Sequence, residues 1–265
     1  MRVTCDLLNP LQEAIALHAA VPVAPLWSRR LQWTCRGRSL DCQVVFAEPM
    51  ALPEPEPSEP VEGALARLGK VLHGTGALLL LRNPSEAFGL ERMPFADGVR
   101  LLGIGSEADE ACWDAALTLA RPVYGVRGLI SCEVLRPHPA SVLSALAYGV
   151  YVCEEGLTLT ELHEDRRGVR WACTRDDAVA SVVIRDGYEA ASLSGSQGQW
   201  RDLGSEGYVR VVVRAGAQAC WTQPRFVAPS GAPPIPPAPP SSSSSSSPSA
   251  PMSPSAPASP ESPPA

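Results

Sequence analysis

The sequence predicts an α/β fold with a mostly parallel sheet over residues 1–154, a small all-β sandwich over residues 155–228 and a disordered tail over residues 229–265. Strand-like and helix-like segments alternate in the first part, which favours a parallel sheet, open or closed into a barrel. After Gly156, short β-branched and aromatic segments are separated by clusters of Gly, Asp and Ser, as is typical of an antiparallel sandwich. The tail holds 14 Pro and 13 Ser in 37 residues and has no aromatic residue, so burial of its apolar groups cannot offset the entropy of ordering.

The first elements follow from apolar runs and from helix-capping residues. Arg2–Leu7 predicts a strand, and Pro10–Ala20 predicts a helix with Asn9 as its N-cap. Val21–Trp27 is apolar enough for a buried strand, although its two prolines argue against a central position. Asp41–Ala47 predicts a further strand.

An acidic loop separates these elements from the next helix. Pro and Glu alternate over Pro53–Pro60, and this composition predicts an exposed, extended linker. Apolar residues recur three and four positions apart over Val61–Gly74, which predicts an amphipathic helix. The continuous apolar run Ala77–Arg82 predicts a strand covered on both faces.

The remaining predicted elements continue the helix–strand alternation of the first part and the short strands of the second part. Gly98–Ile104 and Pro122–Val126 predict strands, whereas Glu107–Ala120 and Pro139–Gly149 predict helices. The predicted strands of the second part are Leu157–Leu162, Val169–Thr174, Ala178–Arg185, Tyr208–Arg214 and Ala219–Val227.

Composition narrows the class of protein. The net charge of −6 argues against a general nucleic-acid binder, which needs a positive surface, although a local basic patch stays open. The sequence has no apolar run near the roughly 20 residues of a membrane span and no basic-then-apolar leader, so we expect a cytoplasmic protein without membrane contact. None of the eight cysteines forms a Cys-x-x-Cys pair, which favours reduced core thiols over a zinc site.

The predicted strand ends are where an α/β protein places its chemistry. They carry no histidine, and their carboxylates are Asp6, Glu48 and Glu107. Two or three carboxylates can hold Mg²⁺ with water completing its shell, but they cannot form a histidine-rich metal site. The four histidines of the chain are scattered, and none pairs with another at ligand spacing.

Several segments resemble proteins of the polymerase and histidinol phosphatase (PHP) domain family. The resemblance is most specific from residue 111 to residue 227, and it is carried by Gly76–Pro84, Trp113–Val126, Ser141–Cys153, Tyr208–Val213 and Cys220–Val227. It implies a TIM-like barrel, a distorted (β/α)7 barrel, with a metal-dependent phosphoesterase site built from His, Asp and Glu at the strand ends.

The resemblance also shows which ligand positions are changed. Glu48 matches the glutamate after the third strand, Asn83 replaces the histidine of a "His-Pro" pair, and Leu26–Ser28 replaces a "Thr-Asp-His" run. Thr4–Asn9, which contains Asp6, stands in place of the opening "His-x-His" motif. The degenerate ligand positions Asn83 and Ser28 therefore predict a non-catalytic pseudoenzyme without a cofactor, which binds or scaffolds an unknown protein partner or a small phosphorylated ligand.

Two alternatives stay open. A divergent metal-dependent phosphoesterase would hold a divalent metal (Zn, Mn or Mg) at Glu48, joined by Asp6, Glu107 or His73. Alternatively, the chain is an interaction protein that acts through its Pro/Ser-rich tail, where Pro236–Pro240 favours a polyproline II ligand.

Overall fold

The structure, a computed structural model, describes residues 1–8, 14–54, 56, 58–88 and 98–227. In this part of the chain the helices are α1 (Val61–Leu72), α2 (Pro84–Ala87), α3 (Glu107–Thr118) and α4 (Pro139–Ala147), with a 3-10 turn at Arg185–Gly187. The strands are β1 (Arg2–Cys5), β2 (Ala14–Ile15), β3 (Leu26–Cys35), β4 (Arg38–Phe46), β5 (Leu78–Leu81), β6 (Leu101–Gly103), β7 (Tyr124–Val126), β8 (Leu129–Glu133), β9 (Val152–Glu155), β10 (Leu159–Asp165), β11 (Gly168–Cys173), β12 (Val179–Ile184), β13 (Tyr188–Ser194), β14 (Gln197–Arg201), β15 (Tyr208–Ala215), β16 (Gln218–Thr222) and β17 (Arg225–Phe226).

The described strands form three sheets. A six-stranded sheet has the order β2-β3-β4-β5-β6-β7, and its β5–β6 and β6–β7 pairs are the parallel ones. An eight-stranded antiparallel sheet has the order β1-β8-β9-β16-β15-β12-β13, with β17 beside β15. A three-stranded antiparallel sheet has the order β10-β11-β14.

The predicted α/β class, with its (β/α)7 or TIM-like barrel, is therefore wrong, because the protein is mostly β and its sheets are largely antiparallel. The main reason lies in β3, which continues past Trp27 and turns directly into β4. Arg36 and Gly37 both have positive φ, of 46° and 78°, as a tight hairpin turn requires. Moreover, α1 joins β4 to β5, and these two strands pair antiparallel, so this helix is not a parallel crossover.

The predicted helix Pro10–Ala20 is also wrong where the structure describes it. Ala14–Ile15 is a strand, and Thr4 exchanges two backbone hydrogen bonds of 2.9 Å with His18. Ile15 and Leu17 are buried while their neighbours are not, so the side chains alternate with a strand's period of two. Asn9 and Pro10 lie outside the described residues.

Other predicted elements are confirmed. The helices α1, α3 and α4 and the strand β5 lie where apolar spacing and caps indicate. Ser106 caps α3 by accepting a hydrogen bond from the Asp109 N–H, and His138 caps α4 through Nδ1. In β5, Leu79 and Leu81 pack with α1 and α3, whereas Leu78 and Leu80 join the core on the other face, so the strand is covered on both sides as expected.

The eight-stranded sheet carries different partners on its two faces. Val209, Val211 and Val213 of β15 pack with Trp171 of the three-stranded sheet. The alternate residues of β15 point the other way, and Arg210 there meets α3. This sheet contains strands from both sides of residue 155, and the described residues up to Val227 belong to one compact unit. The predicted domain division stays a prediction.

Two further expectations concern membrane-spanning segments and the C-terminal tail. In the described ranges, no helix has the length and apolar character needed to cross a membrane. The predicted disordered tail lies outside the described residues.

Candidate anion-binding site

The predicted metal-ligand positions Asp6, Glu48, Ser28 and Asn83 lie in different local environments. Asp6 is exposed, and its Oδ1 accepts a hydrogen bond of 3.0 Å from the Leu8 N–H. Glu48 is exposed after β4, whereas Ser28 is buried within β3 opposite Val45. Asn83 precedes α2 and donates through Nδ2 to Glu86. Among the described residues, no group of three or more His, Cys, Asp or Glu is placed to hold a metal ion.

The other two candidates of that site lie on separate elements. Glu107 begins α3 and is exposed, and His73 follows the last residue of α1. The guanidinium of Arg82 reaches the Asp6 region instead, where its Nη2 donates 2.9 Å to the Leu8 carbonyl. The structure thus places the guanidinium of Arg82 at this strand end, where its Nε also lies 3.8 Å from Asp41 Oδ2.

A concave, arginine-rich site lies on the three-stranded sheet. The strands β10 and β11 form a hairpin through Arg166 and Arg167, and β14 pairs with β11. Cross-strand neighbours share one face of a sheet. The register therefore aligns His163, Arg170 and Gln199 in one row and Asp165, Gly168 and Arg201 in the next.

These two rows, together with Arg167, line a cavity of about 280 Å³, which we call the arginine pocket. Gly168 stands in the middle of the second row and adds no side chain there. Its backbone lies so close to β14 that a Cβ would fall 1.9 Å from the Trp200 carbonyl oxygen. Any other residue at this position would push the hairpin away from β14, and the arginines of the two strands would separate.

The arginines of the pocket differ in whether they form an ion pair with the described residues. Arg170 Nη2 lies 3.0 Å from Glu161 Oε1 at the edge of the pocket. By contrast, the side chains of Arg167 and Arg201 are exposed and make no ion pair or hydrogen bond within the described part of the chain. Two guanidinium groups are thus available to a ligand.

Asp165 is the one carboxylate among the described residues that line the pocket, and it accepts a backbone hydrogen bond. Its Oδ1 accepts a hydrogen bond of 2.7 Å from the Arg167 N–H. This bond, with the charges of His163 and Arg167, lowers the pKa of Asp165 below its ordinary value. Asp165 Oδ2 lies 3.8 Å from His163 Nε2. The carboxylate therefore fixes the hairpin turn, while the lining as a whole keeps an excess of positive charge.

This site was not predicted from the sequence. A signal was present, because Arg166, Arg167 and Arg170 fall within five residues of an otherwise acidic chain. The contribution of Arg201 could not be foreseen, since it depends on the register between β11 and β14.

Comparisons with protein-family models, with curated proteins and with solved structures found no match.

Proposed function

We propose that this chain is a non-catalytic binding protein that holds a small phosphorylated ligand in the arginine pocket. The observation that carries the proposal is that Arg167 and Arg201 line one cavity, in a chain of net charge −6, with exposed guanidinium groups that make no ion pair or hydrogen bond with the described residues. A phosphate monoester carries a charge near −2 and several acceptor oxygens. Arginine presents its N–H donors as a planar fork that matches those oxygens.

The dimensions of the pocket support a small ligand. A cavity of about 280 Å³ lies just below the range of about 300–1,000 Å³ that is usual for small-molecule sites. Arg170 and His163 stand in the row beside Arg201 and are placed to add contacts to a bound phosphoryl group. The binding role does not depend on the family resemblance, and membership of the PHP family and a cytoplasmic location stay predictions.

Isothermal titration calorimetry with inorganic phosphate and with phenyl phosphate tests the binding role. Each of Arg167→Gln and Arg201→Gln should weaken binding about tenfold, because each removes a charge-assisted contact. Arg136→Gln is the matched control, since Arg136 is exposed, lies outside the pocket and makes no ion pair among the described residues. The absence of binding to either probe, or an equal loss in the control, would contradict the proposal.

A phosphate-release assay with phenyl phosphate tests the non-catalytic part. We expect no turnover above buffer when Zn²⁺, Mn²⁺ or Mg²⁺ is added. Release that is lost in Glu48→Gln and retained in Arg167→Gln would instead establish the metal-dependent alternative.

A further inference from the structure

A second concavity lies between α3 and the face of the eight-stranded sheet that carries Arg210. Its volume is about 520 Å³. Five carboxylates line it, and we call it the acidic groove: Glu107, Glu110 and Asp114 from α3, Asp186 from the 3-10 turn, and Glu189 from β13. Among the described lining residues, the cations are Arg210 and Arg214 of β15.

A buried arginine belongs to the lining of this groove. Arg210 is 2 % exposed, and its Nε and Nη2 donate to the two carboxylate oxygens of Asp114 at 3.0 and 2.8 Å. Nη2 also lies 2.8 Å from Glu110 Oε1. The guanidinium carbon lies 4.9 Å from the centroid of the Trp113 ring.

One guanidinium nitrogen of Arg210, Nη1, takes no part in these contacts. Nη1 is buried and has no hydrogen-bond acceptor in the described part of the protein. A buried donor without an acceptor is costly, and native structures usually satisfy it. An oxygen supplied by an occupant of the groove would complete the set of hydrogen bonds.

The outer carboxylates are available to a different group. Glu107, Asp186 and Glu189 are exposed, and their side chains make no ion pair or hydrogen bond with the described residues. Arg210 is already neutralised by Asp114 and Glu110. Glu107, Asp186 and Glu189 outnumber the exposed Arg214, so the outer groove keeps an excess of negative charge. This charge favours a cationic occupant.

We propose that the acidic groove binds a peptide segment of a partner protein that bears lysine or arginine. A peptide offers both features that the groove requires, since a backbone carbonyl accepts from Arg210 Nη1 while the cationic side chains face Glu107, Asp186 and Glu189. A polyamine or a metal ion supplies charge without the carbonyl. The surface is independent of the arginine pocket, so each proposal can fail alone.

Fluorescence anisotropy with a labelled, acetylated and amidated hexalysine peptide at low salt tests this proposal. Glu107→Gln and Glu189→Gln should each weaken binding about threefold, as expected for exposed ion pairs, and the double variant should weaken it about tenfold. Both side chains are exposed, so these variants keep the fold. Glu48→Gln, an exposed carboxylate outside the groove, is the matched control and should bind as the native chain does.

Competition by spermine separates a peptide site from simple charge attraction. At equal charge, spermine should displace the peptide only at concentrations about tenfold higher, because it offers no acceptor to Arg210. Equal or tighter binding of spermine would overturn the proposal, as would binding that Glu48→Gln weakens as much as Glu107→Gln does. Phosphate should leave peptide binding unchanged apart from its ionic strength.

Discussion

The ring of Trp113 lies against Gly125 so closely that a Cβ on that glycine would fall 2.8 Å from the ring carbon Cη2. Gly125 is also held by Gln223, whose Oε1 accepts from its N–H and whose Nε2 donates to its carbonyl, both at 3.0 Å. Tyr151 donates to the same carbonyl oxygen at 3.0 Å. This glycine therefore joins α3, β7 and the segment after β16 in one packed centre.

Gly125→Ala should destabilise the protein because the added methyl group must displace a fully packed indole. We expect the free energy of unfolding to fall by about 1–3 kcal/mol, as for overpacked cores. Urea denaturation measures this change. Gly105→Ala is the control, since a Cβ there meets its nearest atom at an ordinary 3.6 Å, and its effect should stay within about 1 kcal/mol. Equal losses in the two variants would show that the contact with Trp113 is not the cause.

The buried pair of Arg210 and Asp114 should show strong coupling. Asp114→Ala leaves a buried guanidinium facing Glu110 alone, and Arg210→Met leaves the buried Asp114 and the partly buried Glu110 without their cation. Each single change should cost about 3–5 kcal/mol of unfolding free energy. The double variant should cost less than the sum of the two, because it leaves no uncompensated partner of the pair. Urea denaturation of all four proteins gives the coupling energy, and additive losses would contradict this account.

Single helices and strands could be predicted from the sequence where the pattern of apolar residues within the element is enough to identify it. The spacing of Val61, Leu65, Leu68 and Leu72 predicts α1, because a helix buries the side chains that recur along one face. The continuous apolar run Leu78–Leu81 predicts β5, because a strand covered on both faces buries consecutive side chains. These patterns are local and need no knowledge of the neighbouring elements.

Pairing between distant segments was the part that could not be predicted. β1 pairs with β8, and β9 pairs with β16, although each partner lies far along the chain. Helix–strand alternation predicts a parallel sheet, yet the direction of a neighbouring strand is decided by tertiary packing. The arginine pocket was missed for the same reason, since only the pairing of β11 with β14 brings Arg201 beside Gly168.

Stability at acid pH should depend on Glu206, which is 1 % exposed. Burial alone would raise its pKa, but the N–H groups of Leu203, Gly204 and Ser205 donate to its carboxylate and lower the pKa below the ordinary 4.5. A lowered pKa stabilises the folded state above pH 4.5, and this contribution is lost as the pH falls through the folded-state value.

Glu206→Gln should therefore reduce the free energy of unfolding by about 1.5–3 kcal/mol at neutral pH. The difference from the native chain should shrink as the pH falls below 4.5. Urea denaturation across this pH range measures both effects. Glu48→Gln is the exposed control and should leave the pH dependence unchanged. A constant difference between Glu206→Gln and the native chain at all pH values would contradict the assignment.

The thiols should be unreactive in the folded protein. All eight cysteines are free and buried, as their positions in apolar segments predict. Burial raises the pKa of Cys42 and of Cys153 to about 12 and that of Cys112 to about 11, so little thiolate forms. With Ellman's reagent at about pH 8, we expect less than one thiol per chain to react before unfolding and all eight to react in guanidinium. Ser144→Cys places a thiol on an exposed position of α4 and should add one rapidly reacting group. Rapid reaction of several thiols in the native chain would show that the cores around them open readily.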